Sequence, residues 1–130
     1  MNRNLWPDFT TVDLGQRSPK RVLLEEGQGI AEKTDGKIEF VVRTANNGGK
    51  LVYDCELWVP SIQFGYPFMQ VAYQGRDPYP VAVGSDAIPG SPQATNESEL
   101  VDILKKAFHS PVTQKLVLQL MDAATELVEQ

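Results

Sequence analysis

The stretch KIEFVVRTANNGGKLVYDCELWV, residues 37–59, decides the fold. Its first half alternates Ile38, Phe40 and Val42 with Glu39, Val41 and Arg43, the period of two that a strand with one buried face requires. Asn46, Asn47, Gly48 and Gly49 follow, residues that accept positive φ at little cost, so Ala45–Lys50 predicts the turn of an antiparallel hairpin. The return strand, Leu51–Val59, sorts Leu51, Tyr53, Cys55, Leu57 and Val59 onto one side and Val52, Asp54, Glu56 and Trp58 onto the other. Such a hairpin needs cover on its apolar side, and the sequence both before and after it reads as helix.

Upstream, Ser18 followed by Pro19 opens a helix: the serine oxygen accepts from free backbone amides, and proline is tolerated where no amide partner exists. This helix is expected to reach about Thr34, with Leu23, Gly27, Ile30 and Ala31 on one stripe and Asp35–Gly36 closing it. Gly27 and Gly29 each cost up to about 1 kcal/mol against alanine, so the helix needs the sheet behind it. Downstream, 60–67 reads as a loop, 68–73 as a strand, 74–78 as a turn and 81–83 as a short strand. Residues 85–95, with Pro89, Gly90 and Pro92, read as a loop crossing the sheet. Asn96 with Glu99 has the form of a capping box, and Leu100, Ile103, Leu104, Ala107 and Phe108 give the following helix its apolar face. Ser110–Pro111 repeats the Ser-Pro opening before a last helix over 112–128 carrying Leu116, Leu120 and Ala124.

The expected fold is thus α+β, one domain over 1–130. It is an antiparallel meander of about four strands, with one N-terminal helix and two C-terminal helices packed on one face. Residues 1–17 read as an irregular arm that packs its aromatics, Trp6 and Phe9, on the domain.

Ser18, Pro19, Leu23, Glu26, Gln28, Ile30, Glu32, Thr34, Asp35 and Gly36, together with Leu100, Leu104, Lys105, Phe108, Ser110, Thr113, Lys115 and Leu120, resemble the helical ends of a group of small uncharacterised bacterial proteins. That group also tends to carry the step Tyr79, Pro80, Val81 before its final helices. The resemblance implies a bacterial source and helices at both ends of an α+β fold; it carries no activity and no functional residue.

Composition narrows the function classes. With 12 Lys+Arg against 17 Asp+Glu and a net charge of −5, the chain repels a phosphate backbone, and its cations are scattered along the sequence, so nucleic acid is not an expected partner. No run of about 18 apolar residues exists and Met1–Leu14 holds no signal-peptide core, so the expectation is a cytoplasmic protein with no membrane partner. Cys55 is the one cysteine and His109 the one histidine, which excludes an internal disulfide and a two-histidine metal motif, and no cofactor is expected. The glycine pairs sit in a helix pattern and a hairpin turn, so neither forms a phosphate loop.

The residues left for function are Asp54 and Glu56, same-face neighbours on one strand, with Trp58 beside them and Phe64 and Tyr66 in the following loop. An acidic face with a large aromatic suits a basic protein partner, as in an immunity-type or antitoxin-like inhibitor, and loop aromatics bury much area for little entropy. Alternatively the two carboxylates serve a small metal-dependent hydrolase, although the lysine that would complete a nuclease-like pattern is replaced by Trp58. Two further alternatives are a structural homodimer built on a strand edge and a secretion-chaperone-like protein; for the latter, Gly75–Pro80 is too short to hold the helix such chaperones place between strands.

Overall fold

The computed structural model describes residues 5–6 and 15–128, with side chains up to Thr125. Ser18 starts α1 (Pro19–Gly27), its hydroxyl accepting from the N–H of Arg21 at 3.4 Å. The expected single helix breaks at Gln28, and α2 (Gly29–Lys33) continues as a separate short piece. Two glycines flanking one residue remove the local preference for helix, and Gly27 is drawn against the sheet where a longer rod would not fit. A Cβ at Gly27 would stand 2.2 Å from the ring of Phe40; one at Gly29 would meet nothing within 4 Å.

Asp35 and Gly36, at φ 53° and 78°, turn the chain into β1 (Glu39–Asn47), and Gly48 and Gly49, also at positive φ, lead into β2 (Lys50–Val59). The pairing runs unbroken from Glu39 opposite Trp58 to Asn47 opposite Lys50. A single 3-10 turn, Pro60–Ile62, with Gln63 left-handed at φ 50°, leads into β3 (Phe64–Tyr73). The stretch 64–67, expected as loop, is therefore strand. β4 (Val81–Gly84) and β5 (Gln93–Ala94) complete a five-stranded antiparallel sheet in the order β1-β2-β3-β4-β5. The meander holds with one strand more than expected, because two residues of the supposed crossing loop bond to β4 with Ala94 opposite Val81.

α3 (Glu97–Phe108) is capped by Asn96, whose side chain accepts from the N–H of Glu99 at 2.9 Å. The carboxylate of Glu99 reaches back to the N–H and hydroxyl of Thr95, one residue beyond the expected partner, and these bonds hold its pKa below the usual range. α4 (Pro111–Val128) follows after Ser110, whose hydroxyl accepts from Val112 N–H at 3.2 Å.

All helices lie on one side of the sheet. Leu23, Leu100 and Leu104 interlock there with Val59, Val71, Val81 and Val83, all 1% exposed or less. Arg17 ties this side together at the start of α1: its backbone N–H bonds Glu97, its guanidinium lies 3.2 Å from Glu97 and 3.0 Å from Glu26, and its carbonyl accepts from the Tyr79 hydroxyl at 2.9 Å. Within the arm, Trp6 is 75% exposed, while Phe9 lies outside the described residues. Among the described residues, no helix is long and apolar enough to cross a membrane.

Candidate functional site

Residues directly opposite in an antiparallel sheet share a face. On the face without helices, Arg43 stands opposite Asp54, Val41 opposite Glu56 and Glu39 opposite Trp58. The alternation along β2 thus turns Asp54, Glu56 and Trp58 to one side as expected, each half-buried. Their neighbours hold them: Gln70 donates to Asp54 Oδ1 at 3.0 Å, and Arg43 Nε lies 3.5 Å from Glu56 Oε1. Trp58 lies over Gly65, where an added Cβ would come within 3.2 Å of the indole and 2.7 Å of a Glu56 oxygen. The two acids are therefore occupied by an arginine and an amide. Among the described residues no three His, Cys, Asp or Glu side chains gather as metal ligands would.

Phe64 and Tyr66 do not join this group. Between Cys55 and Glu56 the register to β3 slips by one: Met69 pairs with Cys55 and Pro67 with Glu56, leaving Phe68 as the extra residue of a bulge. Tyr66 then pairs with Leu57 and Phe64 with Val59, on the helix-covered face. The bulge carbonyl of Phe68 accepts from the Ser85 hydroxyl at 2.8 Å, which satisfies a group the ladder leaves over.

The bulge also turns Phe68 inward, and there it helps build a cleft on the covered side. Phe40, Phe68 and Phe108 form a cluster with ring centroids 6.0 to 6.4 Å apart, two contacts edge-on and one stacked. They floor a cleft of about 540 Å³ between the broken helix α1–α2 and α4, walled by Ile30, Val117 and Met121. Gly27 sets one wall directly on Phe40. The two buried hydroxyls at the cleft are already used: Thr34 donates to the Ile30 carbonyl at 2.8 Å and Thr113 to that of Ala107. The acidic and basic side chains of the lining, Glu26, Glu32, Lys33 and His109, are all exposed.

His109 caps α3 with its backbone N–H, and its carbonyl accepts from Gln114 at 3.0 Å. Cys55 is 1% exposed under the helices, and burial, with the charge of Asp54 added, pushes its thiol up to about 12. A thiol so held stays protonated and makes no nucleophile. Sequence reasoning missed the cleft because its lining comes from seven separate elements; the one local signal was a glycine, Gly27, in the apolar stripe of a helix.

The chain matches no protein-family model, no curated protein and no solved structure. Function has to be read from the two faces themselves.

Proposed function

We propose that this chain is a binding protein that holds a small apolar molecule in the cleft between α1–α2 and α4. The observation that carries this reading is the lining: about 540 Å³ of space floored by three phenylalanines, with the neighbouring buried hydroxyls committed to backbone carbonyls. That volume falls within the range of small-molecule sites. With the protons of both buried hydroxyls committed to carbonyls, a ligand gains chiefly from apolar contact and shape, and a polar head is best placed beside the exposed Glu32, Lys33 and His109.

The test is titration with an anilinonaphthalene dye and with a medium-chain fatty acid, following the thermal midpoint. A saturable rise is expected, since a ligand at about 100 times its Kd adds about 2.7 kcal/mol to the folded state. Val117→Trp, which fills the cleft, is expected to abolish the rise. A midpoint unmoved by either probe, or an equal rise in Val117→Trp, sinks the reading.

One observation favours a second reading, a protein-binding module of the immunity or antitoxin kind: the helix-free face carries a half-buried Trp58 on Gly65, with Asp54 and Glu56 fixed by their neighbours. A basic protein partner suits that surface. Here Trp58→Ala and Glu56→Lys are expected to weaken binding of such a partner without touching the cleft. A partner that binds both variants as tightly as the parent ends this reading.

A further inference from the structure

The order β1-β2-β3-β4-β5 leaves β1 and β5 at the sheet's edges, and they differ. β5 is two residues long and lies beside α3, whereas β1 runs for nine residues without a bulge or a proline. Proteins protect such edges with prolines, bulges or inward charges. Here both charges of the strand, Glu39 and Arg43, stand on the helix-free face, and both are exposed.

The hairpin fixes which backbone groups are free. Its two-residue turn, Gly48–Gly49, makes Asn47 and Lys50 the closing pair, so residues 39, 41, 43, 45 and 47 turn N–H and C=O toward β2. Residues 40, 42, 44 and 46 turn theirs to the outer edge. Ile38, just ahead, is already served: its N–H donates to the Thr34 hydroxyl at 3.1 Å. Among the described residues, no loop or cap backbone hydrogen bond reaches Phe40, Val42 or Thr44 from outside the sheet.

We propose that a second copy of this chain pairs antiparallel along β1 with Val41 on the two-fold axis, Glu39 of each copy standing opposite the partner's Arg43. Charge selects this register. Full overlap of the strands, centred on Arg43, sets that arginine against its own copy, and like charges directly opposite are destabilising. Centring on Val42 places Glu39 opposite the partner's Ala45 and Arg43 opposite the partner's Val41, so no direct ion pair forms. Centred on Val41, two Glu39–Arg43 pairs flank an apolar contact, while Phe40 and the partner's Val42 exchange backbone hydrogen bonds through the groups left free. Each Arg43 then lies between Asp54 of its own sheet and the partner's Glu39. The product is one continuous ten-stranded sheet with its helix-free faces joined. Four backbone hydrogen bonds and two exposed ion pairs make a weak, salt-sensitive dimer.

Sedimentation velocity of the full chain, from micromolar to near-millimolar at low salt, tests the proposal. A monomer–dimer equilibrium is expected, weakened by salt. Glu39→Arg and Arg43→Glu are each expected to raise the dimer dissociation constant about tenfold or more, since each variant makes two like-charge contacts per dimer. The double variant Glu39→Arg/Arg43→Glu is expected to restore association. Because Arg43→Glu also loses its contact with Glu56, thermal midpoints check that every variant is folded. As an independent readout, Val41→Cys is expected to form a disulfide dimer on mild oxidation, because facing residues at such a position have Cα atoms about 4.5 Å apart. A monomer at every concentration, a dimer indifferent to both charge reversals, a double variant no better than the singles, or failure of Val41→Cys to cross-link would each overturn the proposal.

Discussion

Cys55 and Leu57 look toward the helices from β2, while Asp54 and Glu56, their chain neighbours, look the other way. On the covered side the side chains hold one another by exclusion of water, and Leu23, Ile38, Leu100 and Val71 are wholly buried. On the open side they are held by pairing, Asp54 with Gln70 and Glu56 with Arg43, at distances of 3.0 and 3.5 Å in contact with solvent. The first kind of contact is strong and indifferent to salt; the second is weak and adjustable. A sheet built this way keeps its stability on one side and leaves the other free to vary.

The largest test of that contrast is truncation. Leu104→Ala, at a site 1% exposed, is expected to cost about 2–5 kcal/mol by urea denaturation. Gln70→Ala on the open face is expected to stay within about 0.5 kcal/mol. Comparable losses at the two sites would mean that the open face is a second core. Next comes the pair of glycines around the helix break. Gly27→Ala forces a methyl group onto Phe40 and is expected to destabilise by about 1–3 kcal/mol, whereas Gly29→Ala, facing empty space, is expected to gain up to about 1 kcal/mol. Equal effects at both would show that the helix break, and not contact with the sheet, governs Gly27.

The smallest expected effect concerns charge on the covered side. Glu97 is held below the usual carboxylate range, first by the N–H of Arg17 and then by its guanidinium. A carboxyl with a depressed pKa adds stability that is present above its unfolded value of about 4.3 and lost as pH falls through the folded value. Stability measured across the acid range is therefore expected to fall less steeply in Glu97→Gln than in the parent. An unchanged profile would remove Glu97 from the acid response.

Local chemistry was legible in the sequence, and long-range chemistry was not. Ser18, Asn96 and Ser110 cap helices as read, because a cap is settled within four residues. The β1–β2 hairpin is equally local, and its alternation turned Asp54, Glu56 and Trp58 outward together. β5 escaped because two residues carry no period, and only β4 defines them as a strand. The start of β3 escaped because Gly65 and Pro67 read as loop punctuation. In the sheet Gly65 makes room for Trp58 and Pro67 directly precedes the bulge. That same bulge separated Phe64 and Tyr66 from the acidic face. The break at Gln28 was written in its two glycines, but the ring that makes Gly27 necessary lies thirteen residues on, at Phe40.

The extra residue at Phe68 decides which side each residue at the start of β3 takes. Because the strand counts one more residue than β2 does between Cys55 and Glu56, losing a single codon there would close the ladder into uniform pairing. With Phe68 gone, Pro67 would still face Glu56 and Tyr66 would still face Leu57, so residues 64–67 would keep their sides and the cleft would lose one ring of its floor. Flattening the bulge at unchanged length is what would swap the sides, pairing Phe68 with Glu56, Pro67 with Leu57 and Tyr66 with Trp58.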